Sequence, residues 1–420
     1  MHILWLKTEL LHPVDKGGKI RTYNMLKELK RSNRITYLTL DDGIADDQAR
    51  ELASEYCHEL VCIPHQRREK FTAGFYAELA VNFASSLPYA IKKYESTGMR
   101  REIADRAGLA NFDVLVCDFL APAVNVPGNL KCASVLFQHN VEAMLWRRHY
   151  EVQVNPVKKA YMFGQWLKMR SFEMKACARF DSVISVSRDD RELMQKEYAV
   201  EAIYDVPTGV DTNFFRRSGE VQQIPNSLVF TGSMDWLPNE DAIRYFMDQI
   251  MPRIRRSVPE VTLTIVGRNP YPGLLELNKR DSSVVVTGRV DDVRPYMERA
   301  AAYIVPLRIG GGTRLKIFEA MAMGQAIVST RIGAEGLPVR DGLELLLADT
   351  PESFANAVVN LLSNGALAKE LGDRAASAVR ENFGWDKVAE RFATICERAL
   401  SAAVRRAPSG ASGSKVQPAP

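Results

Sequence analysis

From Gly310 to Gly324 the chain reads Gly-Gly-Gly-Thr-Arg-Leu-Lys-Ile-Phe-Glu-Ala-Met-Ala-Met-Gly, residue types suited to holding a pyrophosphate group. Three glycines leave backbone amides uncovered, Thr313 can cap a short helix, and Gly324 can end it. Arg314 and Lys316 then fall in the first helical turn, where basic residues oppose the macrodipole and are normally disfavoured. Two of them there point to an anion that meets amides, dipole and cations together. Glu319, on the second turn, can accept hydrogen bonds from both hydroxyls of a ribose, each charge-assisted bond contributing about 1.5–3 kcal/mol. The competing reading is a Lys316–Glu319 salt bridge beside a flexible loop.

Two further glycine turns have the same setting. Asp15-Lys16-Gly17-Gly18-Lys19-Ile20-Arg21 follows the first apolar run, and Thr231-Gly232-Ser233-Met234-Asp235-Trp236-Leu237-Pro238-Asn239-Glu240 follows Leu228-Val229-Phe230. Glycine permits close backbone approach, and the helix that follows offers free amides and about half a positive charge. The plainer reading of an isolated Gly17-Gly18 pair is a tight strand-to-helix turn. His139 lies in Gln138-His139-Asn140-Val141-Glu142 directly after Val135-Leu136-Phe137, and Asp118 and Glu142 hold comparable places. Cys57, His58, Cys62 and His65 suit zinc by type. Cys62, however, lies inside Leu60-Val61-Cys62-Ile63, where alternate side chains face opposite ways, so no metal site is expected.

These loops need strands to position them, and the sequence supplies a series. Short apolar, β-branched runs alternate with longer amphipathic stretches, the pattern of β-α units building parallel sheets. Strands are expected near 2–6, 35–40, 60–63, 113–117, 134–138 and 182–187, then near 227–231, 261–266, 284–287, 302–306, 326–329 and 344–348. Several, such as Val284-Val285-Val286, are continuously apolar, as in strands covered on both faces. The expectation is an α/β protein of two Rossmann-like, doubly wound domains facing a central cleft. Residues 1–206 form the first and 227–384 the second, joined by a linker over 207–226. A C-terminal helix over 385–404 returns to the first domain, and 405–420 is a flexible tail. Open sheets of this kind bind ligands at the carboxyl ends of their strands, where all these loops lie.

The formal charge of +4, from 55 basic and 51 acidic residues, is too balanced to argue for nucleic-acid binding. Hydrophobic residues make up 46% and charged ones 25%, an ordinary globular composition. Lys7 and Glu9 stand where a signal peptide would be apolar, and no run reaches about 18 apolar residues. With six scattered cysteines, these features point to a cytoplasmic protein. Between Trp146 and Arg179 there are eight basic residues and two acidic ones, interleaved with aromatics. That composition suits peripheral contact with the anionic inner face of a membrane as well as a buried helix with a solvated basic face.

The chain resembles the retaining glycosyltransferases of family 4, which have the two-domain GT-B fold. The matching pieces are Gly17-Gly18, the His139 loop, Val186-Ser187, Pro207-Thr208-Gly209-Val210-Asp211, Ile265-Val266-Gly267, the stretch from Val286 to Asp292, and Gly311 to Gly324. They run in family order over about residues 1–400, and the Gly-Gly-Thr-Arg-Leu-Lys loop is similar to that of bacterial exopolysaccharide-type sugar transferases. The resemblance implies sugar transfer from a nucleotide diphosphate sugar to a glycan or lipid-linked acceptor, with retained configuration and no metal or other cofactor. Taken with the residues read above, catalysis is expected on His139, Arg314, Lys316 and Glu319. Donor binding is expected on Gly17, Gly18, Gly232, Arg268, Val290, Gly311, Gly312 and Thr313, with Asp118 and Glu142 on the acceptor side.

Family enzymes usually carry two glutamates eight positions apart in the donor loop. Here the second is Glu319 and the first position is Gly311. The basic pair usual after the second domain's first strand is missing from Gly232-Ser233-Met234-Asp235-Trp236, and Arg314 and Lys316 are read as its replacement. The sequence holds no Asp-x-Asp metal anchor. The alternatives are another GT-B reaction, such as a nucleotide-sugar epimerase or a phosphorylase, or a nucleotide-sugar binding protein without turnover.

Overall fold

The computed structural model describes residues 1–43, 47–66, 69, 71–108, 112–128, 130–309 and 315–406. The chain divides into two compact units, one of residues 1–206 with the chain from Ala389 onward, the other Pro207–Val388.

The first unit carries a seven-stranded sheet of β1 (His2–Lys7), β2 (Arg34–Asp41), β3 (Glu59–Pro64), β4 (Val114–Asp118), β5 (Ala133–Phe137), β6 (Ser182–Ser185) and β7 (Ile203–Asp205). Its order is β3-β2-β1-β4-β5-β6-β7 and every pairing is parallel. The order reverses between β1 and β4, which pair from Ile3↔Val114 to Leu6↔Cys117. Such a reversal leaves a crevice outside the carboxyl ends of the two strands. Central strands are buried on both faces, which is why they read as unbroken apolar runs. β7 was not anticipated, because three residues are too short to show a period.

The second unit repeats the plan with β8 (Ser227–Thr231), β9 (Thr262–Val266), β10 (Val284–Gly288), β11 (Ala302–Val305), β12 (Ile327–Ser329) and β13 (Leu346–Leu347). The order is β10-β9-β8-β11-β12-β13, again parallel, with the reversal between β8 and β11. Aromatic pairs pack within its core, Phe246 edge-on to Phe354 and Phe318 stacked on Phe383 at 4.8 Å. Residues 207–226 lie within this unit.

Helix Trp385–Arg406 starts in the second unit and belongs to the first from Ala389. Phe392 fixes it there: fully buried, its ring lies 5.4 Å from Trp5 and 5.1 Å from Phe137. No helix among the described residues is long and apolar enough to cross a membrane.

Candidate active site

In the second unit, β11 leads toward helix Leu315–Ala322, which ends just before Gly324. Residues Gly310 to Arg314 lie outside the described residues, so the expected roles of Gly311, Gly312, Thr313 and Arg314 have no geometry to report. Lys316, on the first described turn, reaches back to the β8 loop. Its Nζ donates to Asn239 Oδ1 at 2.8 Å and lies 4.2 Å from the centroid of the Phe230 ring. Asn239 is itself fixed, donating from Nδ2 to the Ser233 carbonyl at 2.8 Å. The ammonium is thus held between an amide oxygen and an aromatic face at the point where strand order reverses.

Gly232 makes room for this arrangement. A Cβ there would stand 2.7 Å from Asn239 Nδ2 and 2.8 Å from Lys316 Nζ, and the residue's φ of +153° disfavours other side chains. Gly267 packs on the same turn, since its own Cβ would fall 1.7 Å from the Gly232 carbonyl oxygen. Arg268 continues this wall, its backbone carbonyl accepting from Met234 N and its Nε donating to Ser233 Oγ at 2.9 Å. Val290 packs against the unit's core after β10. Glu319 is half-buried, and burial pushes its carboxyl up to about 7 against the opposing pull of Lys316.

In the first unit, Asp118 closes β4 with none of its surface exposed. It accepts from Trp5 Nε1 at 3.1 Å, Lys7 Nζ at 2.8 Å, Thr22 Oγ1 at 2.6 Å and His139 Nε2 at 2.7 Å. Burial alone would raise this carboxyl, but Lys7 and His139 outweigh it and hold Asp118 ionised, well below the usual carboxylate range. Asp118, expected on the acceptor side, is therefore an internal anchor in this structure, because four donors surround its oxygens. Burial also drives His139 down to about 3, so the imidazole is neutral at pH 7. With a carboxylate at Nε2, that nitrogen carries the proton and Nδ1 carries the lone pair. Nδ1 is buried and has no partner among the described residues.

Phe119 leaves the strand at φ +71° and stacks on the His139 ring, centroids 3.8 Å apart. It also explains Gly18: a Cβ at that position would sit 2.8 Å from the Phe119 ring, whereas Gly17 faces open space. Arg21, on helix Gly17–Leu29, is buried nearby, its guanidinium pushed down to about 10 by burial despite Asp118 and Asp190.

Glu142 begins helix Glu142–Val152, whose first amides donate to the buried Glu173 carboxylate at 2.8 and 2.9 Å. Burial and then Glu173 push the Glu142 carboxyl up to about 7. The cysteine–histidine group is committed elsewhere. His58 Nδ1 accepts from Ile35 N, His65 Nε2 bonds the Lys93 carbonyl, and Cys57 Sγ bonds the Ala53 carbonyl. No group of three or more His, Cys, Asp or Glu among the described residues is arranged to hold a metal ion.

Sequence reasoning located the loops but missed Asn239, Phe230, Lys7 and Phe119. Lys7 left a signal, a charge ending an otherwise apolar strand. Asn239 left none, since it meets Lys316 only through strand order.

Two parallel sheets with this topology define the class: the chain has the GT-B fold, two Rossmann-like units each with its sheet flanked by helices. Residues 225–364 match the family model described as Glycosyl transferases group 1. An uncharacterized 44.6 kDa protein in the cps region of Klebsiella pneumoniae is 24% identical over 92% of this chain and 97% of its own. The phosphatidyl-myo-inositol mannosyltransferase of Mycobacterium tuberculosis is 25% identical, over 56% of this chain and 61% of that protein. Among solved structures, HepE of Anabaena in complex with UDP aligns with a TM-score of 0.63 at 12% identity, covering 95% of this chain and 100% of that one. These matches support a glycosyltransferase.

Proposed function

We propose that the protein is a retaining, metal-independent glycosyltransferase that moves a sugar from a nucleoside diphosphate sugar to a glycan or lipid-linked acceptor in polysaccharide or glycolipid synthesis on the cytoplasmic side. The observation that carries this is the Lys316 ammonium, fixed by Asn239 and Phe230 at the crevice of the second sheet. The bond between the sugar's anomeric carbon and the diphosphate oxygen breaks, and negative charge builds on the departing diphosphate. A cation already in place stabilises that charge without reorganising. The acceptor hydroxyl forms the new bond from the face the diphosphate leaves, and its proton passes to a departing phosphate oxygen. Glu319 accepts the ribose hydroxyls. In the first unit, the unpaired Nδ1 of neutral His139 is an acceptor for a sugar hydroxyl. The UDP-bound HepE structure supports a nucleoside diphosphate as the leaving group.

The test is turnover of labelled nucleotide sugars with a panel of acceptors, following released nucleoside diphosphate and the product's anomeric configuration by NMR. Saturable binding without release, or an inverted product, contradicts the proposal.

Glu319→Ala is expected to weaken nucleotide affinity by about 10-fold or more, from loss of charge-assisted bonds. Because only the ionised carboxylate accepts from both hydroxyls and the group titrates near 7, wild-type affinity is expected to rise from pH 6 to pH 8. Calorimetry of the nucleoside diphosphate at both pH values checks this, and a flat profile or an unaffected variant contradicts it. Asn239→Ala is expected to release Lys316 and lower kcat about 10- to 100-fold with KM nearly unchanged. A variant with raised KM and normal kcat would mean that Asn239 acts on ground-state binding instead.

A further inference from the structure

Helix Ala73–Asn82 inverts the usual pattern of burial. Of its ten residues, AGFYAELAVN, only Asn82 is buried. Val81 is 74% exposed, and the flanking Phe71 and Phe83 are 78% and 66% exposed. The helix is held by polar groups. Gln165 Nε2 donates to Asn82 Oδ1 at 3.0 Å, Tyr89 N donates to Gln165 Oε1 at 2.8 Å, and Lys168 Nζ donates to the Asn82 carbonyl at 2.7 Å. This clamp fastens the helix to helix Pro156–Arg179 with Tyr76 and Val81 left exposed.

The longer helix adds its own exposed apolar residues, Phe163, Leu167 and Met174, at spacings of one and two turns. Val157 in its first turn, Val152 at the end of the preceding helix and Val154 between them are also exposed, the last 92%. Phe83 meets Tyr161 at 5.8 Å between ring centroids, so the two sets are joined. Apolar surface that is contiguous and outward-facing marks a binding surface.

Charge identifies the occupant. Of the two acidic residues between Trp146 and Arg179, Glu173 is buried as a helix cap, and Glu151 is ion-paired to Arg147 at 2.8 Å. The exposed cations of the longer helix include Lys158, Arg170 and Lys175, of which Arg170 is ion-paired to Glu197 at 3.1 Å. Exposed apolar residues and exposed cations on one helix complement an anionic lipid leaflet, with phosphate headgroups against the lysines and acyl chains against the apolar side chains.

We propose that helices Ala73–Asn82 and Pro156–Arg179 form a membrane-docking surface that seats Phe71, Val81, Phe83, Val154 and Val157 among the headgroups of an anionic leaflet. This surface belongs to the first unit and stands independently of the transfer reaction.

The full chain is sedimented with vesicles of phosphatidylcholine alone and with phosphatidylglycerol added. Binding is expected with the anionic vesicles and not with the neutral ones. The paired variants Val81→Asp with Phe83→Asp, and Val154→Asp with Val157→Asp, are expected to weaken it at least tenfold. Lys158→Gln with Lys175→Gln is expected to weaken it about fivefold per charge removed. All these positions are at the surface, and unchanged Tm and nucleotide affinity confirm that the variants fold. Three results overturn the proposal: the chain stays in the supernatant with anionic vesicles; binding is insensitive to the aspartate variants; or light scattering shows a dimer, dissociated by those variants, that does not bind vesicles.

Discussion

Lys316→Ala is expected to lower kcat by about 10²- to 10³-fold while changing nucleotide affinity much less, a loss of about 2.7–4 kcal/mol of transition-state stabilisation. The asymmetry follows from where charge appears. In the bound donor the diphosphate charge is shared with the sugar ester, whereas in the transition state it accumulates on the departing oxygens. An interaction that grows between those states lowers the barrier without tightening ground-state binding to the same degree. Arginine is not expected to restore the rate. The ammonium is held as a compact point charge between Asn239, Phe230 and the backbone at Gly232, and a larger, planar guanidinium does not reproduce those contacts. Initial rates of nucleoside diphosphate release, set beside calorimetric affinities, decide the matter. Equal losses in both would show that Lys316 only holds the ground state.

The second large effect falls on folding. Asp118→Ala leaves the buried Lys7 ammonium without its counter-charge, and breaking one side of a buried pair costs about 3–5 kcal/mol. Unfolding of the first unit is then expected about 10 °C lower. Removing both charges, with Lys7→Met and Asp118→Leu together, is expected to recover most of that loss, since no unpaired ion remains. Thermal melts of the two variants at pH 7.5 make the comparison, and a double variant no more stable than the single one would refute it. The pH dependence has a definite sign. The folded carboxyl is depressed, so its contribution is complete above the unfolded carboxylate range near pH 4 and fades as pH falls further. The difference between wild type and Asp118→Ala should therefore be full at neutral pH and shrink below about pH 4.

Much of this was legible in the chain. The runs around Trp5, Phe137 and Val229 announced buried parallel strands, and the glycine turns after β1 and β8 lie at the two points of strand reversal. His139 was visible as a histidine closing a strand. Its protonation state was not, because burial and the Asp118 bond set it. The exposure of Val81 and Phe83 was also hidden, since apolar residues in a helical stretch read as core until the helix's one buried residue proves to be an asparagine.

The amino-acid sequence by itself determined the strands, the loops after them and the kinds of residue those loops carry, because hydrophobic period and glycine conformation act over a few neighbours. The tertiary structure alone decided which of those residues meet. Lys316 and Asn239 are 77 positions apart, and Asp118 gathers donors from β1, the helix after it and the β5 loop. Parallel strand order brings such distant loops to one edge of a sheet, and no local pattern records which loop becomes the neighbour of which.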